Sequence, residues 1–199
     1  MTNLKYVERF SEVIQSIDST QSEKIKAAAK LCAQAINNGN MVHLFGSGHS
    51  VLPIQDMFPR YGGVVGFHPL MDPRLMWSNV IGPGGARELL WIERQEGYIR
   101  NFLQSFTFHE GEVMIVYSHG GLNAAPIEVA MYAKQKGMKV VAITSEDNYK
   151  KAQPIHSSGN KLGDVADIII SNCCPLEDAL VSIPGYPQPV GGSSTISAM

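Results

Sequence analysis

Two short segments carry the residue types that anion chemistry needs. Gly46-Ser47-Gly48-His49-Ser50 follows a run, Met41 to Phe45, suited to a buried strand, and Ser118-His119-Gly120-Gly121-Leu122-Asn123 follows the strand-like Glu112 to Tyr117. Glycines let a backbone turn its N–H groups toward a ligand, serines add hydroxyl donors, and a helix starting there presents its positive end. A phosphate is the guest such groups suit. Either loop alone also reads as a turn that needs Gly and Ser for its geometry. The repetition favours ligand binding.

A second set of side chains could move protons. Leu89, Ile92, Ile99 and Leu103 recur at three- and four-residue spacing, predicting one helix from about Glu88 to Phe106, and Glu96 interrupts its apolar stripe. A carboxylate there either lies exposed at the stripe's edge or is partly buried, where its pKa rises toward the range a general base needs. Glu93 falls off the stripe and reads as solvated. His49, inside the first loop, and His156, in His156-Ser157-Ser158-Gly159-Asn160, are open to acid–base or to structural roles. His43 reads as core or interface.

Elements must hold these residues. Tyr6, Phe10, Val13, Ile14 and Ile17 share a helical stripe, and Thr20 followed by Glu23 resembles a capping box opening a second helix, so an N-terminal helical pair is expected. A strand over 41–46 is followed by a helix that ends before Pro59 or Gly62, and by a short strand over 63–67. From His68 to Arg87 the chain is rich in Pro and Gly without a clear period, which predicts a long loop that could act as a lid. Strands over 112–117, 139–144 and 167–171 alternate with helices, the helix after Asn123 accepting Pro126 in its first turn. This alternation predicts an α/β fold with a parallel sheet covered on both faces. A helical extension over 1–40 precedes the sheet domain over 41–199. Ligands bind such sheets at the carboxyl ends of the strands, where Ser47, Ser50, Ser118 and Ser145 would collect.

Composition narrows the partners. With 199 residues, 44% hydrophobic and 17% charged, the chain can bury one substantial core, and a net charge of -2 with scattered Lys and Arg offers no footprint for nucleic acid or an acidic membrane. No apolar run approaches the roughly 20 residues a membrane span needs. The three cysteines form neither a disulfide framework nor a zinc spacing, which fits a reducing, cytoplasmic setting. Asp56 and His49 do not make a recognisable ligand set, so neither metal nor cofactor is expected.

Taken together, GSGHS after a strand, EVMIVYSHGGLNAAPIEVAMYAKQKGMKVVAITS and VADIIISN resemble the sugar isomerase (SIS) domain family over roughly residues 35 to 199. GSGHS, the IERQEGY run and the GYPQPVGGSSTISA tail are most similar to a bacterial branch grouped with phosphosugar isomerases. The resemblance implies a doubly wound, five-stranded flavodoxin-like sheet that binds a phosphorylated sugar or amino sugar. It implies that Ser47, Gly48, His49 and Ser50 of the first loop, Ser118, His119, Gly121 and Asn123 of the second, and Ser145 and Ser194 surround the ligand. The second loop departs from the family's Ser-x-Ser-Gly-x-Thr, since Gly120 replaces a serine and Asn123 stands where Thr is expected. The missing hydroxyl is a donor worth about 1.5–3 kcal/mol to a charged oxygen, so His119 or a backbone N–H compensates or the native ligand differs.

Gln95-Glu96-Gly97 looks like the segment carrying a catalytic glutamate in N-acetylmuramic acid 6-phosphate etherases, and Asp72 falls near that branch's second acid. The implied chemistry is aldose–ketose isomerisation with Glu96 as base and Asp72 or His156 as acid. An amino-sugar phosphate lyase and a non-catalytic sugar-phosphate sensor are the alternatives. The resemblance further implies sites at a subunit interface, hence a homodimer or higher homo-oligomer. It also implies a longer last helix, so the chain is expected to be truncated in the helix that Ser193-Ser194-Thr195 opens.

Overall fold

The computed structural model describes residues 4–58, 60–76 and 85–199. It opens with one helix, α1 (Lys5–Asn37), where two were expected. Thr20 is not a cap: its hydroxyl donates to the Ser16 carbonyl one turn back at 2.6 Å, so the chain continues through it as helix. There follow β1 (Val42–Gly46), a 3-10 turn (His49–Val51), α2 (Leu52–Met57), β2 (Phe67–Leu70), a second 3-10 turn (Pro73–Leu75), α3 (Gly85–Ile92) and α4 (Tyr98–Leu103). The remainder is β3 (Val113–Tyr117), α5 (Ala124–Gln135), β4 (Lys139–Thr144), α6 (Glu146–Lys151), α7 (Leu162–Val165), β5 (Ile168–Ser171) and α8 (Ser194–Ala198).

The five strands form a parallel sheet in the order β2-β1-β3-β4-β5. Every residue of β1 and β3 is buried, as strands covered on both faces must be. Alternation divides their side chains between two cores. Val42, Leu44, Val113 and Ile115 meet Ala28, Cys32 and Ile54 of α1 and α2, while Phe45, Met114 and Val116 meet Leu89, Leu103, Ile127 and Leu162 from α3, α4, α5 and α7. Each fully buried Leu, Ile or Phe among them contributes about 1.5–3 kcal/mol relative to exposure. Gln21 on α1 is buried as well; its side-chain carbonyl accepts the Ser171 N–H at 3.0 Å and ties the helix to β5.

Two elements differ from expectation. The second strand runs Phe67–Leu70, four residues later than the predicted 63–67. It contains Pro69, which lacks a ladder donor and is tolerated because β2 is an edge strand paired only with β1. The single helix expected from Glu88 to Phe106 is two, α3 and α4, with Gly97 at φ 84° before α4. The expected long loop thus holds β2 at one end and the start of α3 at the other, while the 77–84 part of the proposed lid lies outside the described residues. Among the described residues no helix is long and apolar enough to cross a membrane.

Candidate active site

The first loop turns sharply off β1, and Gly46 permits it: a Cβ there would stand 2.2 Å from the Ser50 carbonyl oxygen. The turn consumes its own amides. Gly48 N–H donates to Leu75 O at 2.8 Å, Ser50 N–H to Ser47 O at 3.1 Å and Val51 N–H to Gly48 O at 3.3 Å. Here the loop differs from an amide-lined anion nest, because what it presents is chiefly hydroxyl. Ser47 Oγ donates to Glu93 Oε2 at 2.8 Å.

Glu93, expected to be solvated, is 6% exposed and joins the two loops. Its Oε1 accepts the Asn123 side-chain amide at 2.6 Å, and its backbone carbonyl accepts Ala125 N–H at 3.0 Å at the start of α5. Helix α3 ends at Ile92, so the stripe's phase no longer governs residue 93, and the carboxylate turns inward. Burial pushes its pKa up, only partly offset by the Ser47 hydroxyl and by Arg94. The signal that could have found it was Gly97, a helix breaker inside an apparently continuous stripe.

In the second loop the Ser118 hydroxyl accepts Gly121 N–H at 3.1 Å. His119 is wedged between the side-chain amides of Asn172 and Asn148, at 3.1 and 3.2 Å, with Leu176 O at 3.3 Å from Nε2. Its ring is anchored to protein groups on both nitrogens. Ser145 is fully buried and donates to Cys174 O at 2.9 Å while accepting Asn148 N–H at 3.4 Å, which commits its hydroxyl to capping α6. Ser50, Ser118 and Ser194 come together around a cavity of about 10 Å³, room for one water, which Thr195 and Ala198 of α8 close off. Ser194 Oγ donates to Asp178 Oδ2 at 2.6 Å. His49 is exposed on the 3-10 turn after Gly48.

The other acid–base candidates have partners outside the two glycine loops. Asp72 is buried, and burial alone would raise its pKa. Hydrogen bonds from the Arg74 side chain at 3.0 and 3.1 Å, from Tyr98 OH, and from Arg74 N–H outweigh that and hold it below the ordinary carboxylate range. A carboxylate so held has no proton to give. Glu96 sits exposed in the α3–α4 turn rather than on a helix stripe, and both its oxygens accept from Ser157, from N–H at 2.7 Å and from Oγ–H. Those bonds lower its pKa and weaken it as a base. His156 is near Glu96 and Glu128, Nε2 being 3.8 and 3.6 Å from their oxygens, and is not gathered with Ser47 and Asn123.

A broader cavity of about 670 Å³ lies between α1 and the segment after β5, lined by Arg9, Glu12, Cys173 and Glu177 among others. It shares no residue with the two glycine loops. Among the described residues no group of three His, Cys, Asp or Glu side chains is arranged to hold a metal ion.

A model of the SIS domain family matches residues 5–145, α1 included. A UPF0309 protein of Caldanaerobacter subterraneus subsp. tengcongensis is 38% identical over 179 residues, covering 89% of this chain and 71% of that protein. Another, from Oceanobacillus iheyensis, is 35% identical over 197 residues, covering 98% and 78%. The phosphoheptose isomerase of Neisseria gonorrhoeae superposes with a TM-score of 0.60 at 18% identity over 83% of this chain and 81% of its own. That of Francisella tularensis gives 0.58, also at 18%, over 86% and 85%. At these identities the two structures speak for the fold.

Proposed function

Because this chain belongs to the SIS domain family, we propose that it binds a phosphorylated sugar or amino sugar where the two glycine loops meet, and interconverts its aldose and ketose forms. The observation that carries the reading is Glu93, a buried carboxylate bonded to Ser47 of one loop and Asn123 of the other. Isomerisation needs one base that takes a proton from the carbon beside a carbonyl and returns it to the neighbouring carbon. Burial gives Glu93 the raised proton affinity such a base requires, and the two bonds fix its direction. Ser50, Ser118 and Ser194 are the hydroxyls proposed for the phosphate. A cavity of one water's volume does not admit a phosphate, so α8 shifts when the ligand enters. The phosphoheptose isomerase fold neighbours and the SIS match support the substrate class.

The test is a panel of aldose, ketose and N-acetylated hexose phosphates, one of them bearing an ether-linked lactate, in deuterated water, followed by NMR, with thermal shift run beside it. Deuterium should enter at C2 of a cognate sugar, and Glu93→Gln should slow exchange by about 10²–10⁴-fold, the usual contribution of a general base, while ligand stabilisation persists. Exchange at the wild-type rate in Glu93→Gln removes the assigned base. Stabilisation without exchange in either protein makes the chain a sensor. Release of lactate without a ketose makes it a lyase. Equal stabilisation by sugars with and without phosphate overturns the reading.

A further inference from the structure

Between α4 and α5 lies a cavity of about 210 Å³, and two of the polar residues lining it each bury an atom that lacks a hydrogen-bond partner among the described residues. Ile99, Leu103 and Met131 give it apolar walls, and Glu128 and His156 line it too. The His156 side chain is only 6% exposed. Ser158 N–H donates to its Nδ1 at 3.1 Å and Ser158 Oγ lies 2.8 Å from the same atom; with Nδ1 accepting, a neutral ring carries its own proton on Nε2. Among the described residues that Nε2–H has no hydrogen-bond partner, and neither does Oε2 of Glu128; both atoms are buried.

The neighbours are already committed. Glu96 gives both oxygens to Ser157, and Glu128 Oε1 accepts Gly97 N–H at 2.6 Å. His156 Nε2 is 3.6 Å from that same Oε1, beyond hydrogen-bond reach. One buried donor and one buried acceptor therefore belong to residues that line the same cavity, and a buried polar group left unpaired is costly.

One kind of ligand group satisfies both. An ammonium only donates and leaves Nε2–H unpaired; a carboxylate or phosphate oxygen only accepts and leaves Oε2 unpaired. A hydroxyl accepts from Nε2–H and donates to Oε2 at once. The apolar walls beyond it suit the C–H face of a polyhydroxylated molecule. We infer that the α4–α5 cavity is a binding site for a small neutral sugar or polyol, one hydroxyl of which bridges His156 Nε2 and Glu128 Oε2. This site shares no lining residue with the small cavity proposed for phosphate, so it stands whether or not that proposal does.

The test is NMR of the imidazole nitrogens of His156 in the full chain, titrated with glucose, sorbitol and glucosamine. Arg100 lines the same cavity, so glucose 6-phosphate is added as a further arm. Glucose or sorbitol should shift the Nε2 resonance saturably. Glu128→Gln should weaken binding by roughly tenfold or more, the worth of one buried hydrogen-bond partner, as should His156→Phe, which lacks the reporting ring and is followed by calorimetry with sorbitol, and Ser118→Ala should leave it unchanged. Stronger binding of the phosphate than of glucose, lost in Ser118→Ala, assigns the response to the phosphate site and overturns this one. No shift with neutral polyols overturns it as well. Should a variant fail to fold, a sorbitol-soaked crystal of the unaltered chain decides: a polyol oxygen between the two atoms upholds the site, and water alone there refutes it.

Discussion

Two buried ionisable side chains, Glu93 and His43, make opposite demands on pH. Burial raises the Glu93 pKa above the ordinary 4.5. The folded state therefore holds a proton that the unfolded chain releases, and this contribution to stability is full below about 4.5 and lost as pH rises through the raised value. His43 lies 2% exposed at the other end of β1, and burial lowers its pKa below 6.5 despite the hydrogen bond to Glu112. It stays neutral in the fold. Its Nε2–H donates to Glu112 at 3.0 Å, and its Nδ1, 2.9 Å from His68 Nδ1, accepts from that ring. Its contribution is complete above 6.5 and is lost as pH falls through the lowered value. Urea denaturation across pH 4 to 9 should show both trends. Glu93→Gln should remove the decline on the alkaline side and leave the acid-side loss intact. An unchanged alkaline decline in that variant would mean that Glu93 titrates in the fold as it does in the unfolded chain. The sequence made the two glutamates look the other way round, Glu96 on a stripe and Glu93 in water, because helical phase was extended across a break. Only tertiary contacts with Ser47 and Asn123 reveal which carboxylate is enclosed.

At the scale of elements, glycine sets both the first loop and that break, by different means. At Gly46 the obstacle is space, a backbone oxygen 2.2 Å from where a Cβ would stand; at Gly97 it is conformation, φ 84° with nothing within 4 Å. Gly97→Ala should cost about 1–2 kcal/mol, the penalty of a left-handed L-residue. Gly46→Ala has no such limit, because the Ser50 carbonyl must move and take the loop with it. It should be the more destabilising of the two by chemical denaturation and should also abolish stabilisation by sugar phosphates. Equal costs, or ligand stabilisation kept in Gly46→Ala, would mean that the loop adjusts freely. The contrast explains what was legible. The strands β1, β3 and β4 were visible as apolar runs because almost all their residues are buried, the edge strand β5 was visible from Ile168-Ile169-Ile170, and Gly/Ser loops after β1 and β3 announced the ligand edge. The edge strand β2 was misplaced, since Phe67-His68-Pro69-Leu70 offers neither an apolar run nor a β-branched residue. The capping signal at Thr20 was local, and α1 is continuous because packing on the sheet outweighs it.

For the whole molecule the question is what covers α1. Its later half buries Ala28, Cys32 and Ala35 against the sheet, yet Leu4, Val7, Ile14 and Ile25 stand 40–65% exposed. Their spacings of three, seven and eleven residues put them on one face of the helix, a pattern that a second helix can match. Scattered exposed apolar residues need no explanation, but a stripe along one face costs free energy in water that association recovers at about 25 cal/mol per Å². A copy of the same chain is the natural cover, since a two-fold axis lets one stripe meet itself. Light scattering over low to high micromolar concentration should therefore give a dimer mass, and replacing Val7 and Ile14 together by Glu should shift it to monomer with little loss of helicity, because neither residue lies in the core. A monomer throughout would refute the association. A dimer unaffected by the double replacement would move the interface elsewhere, the exposed Phe58, Tyr61, Val64 and Val65 after α2 being the next residues to replace.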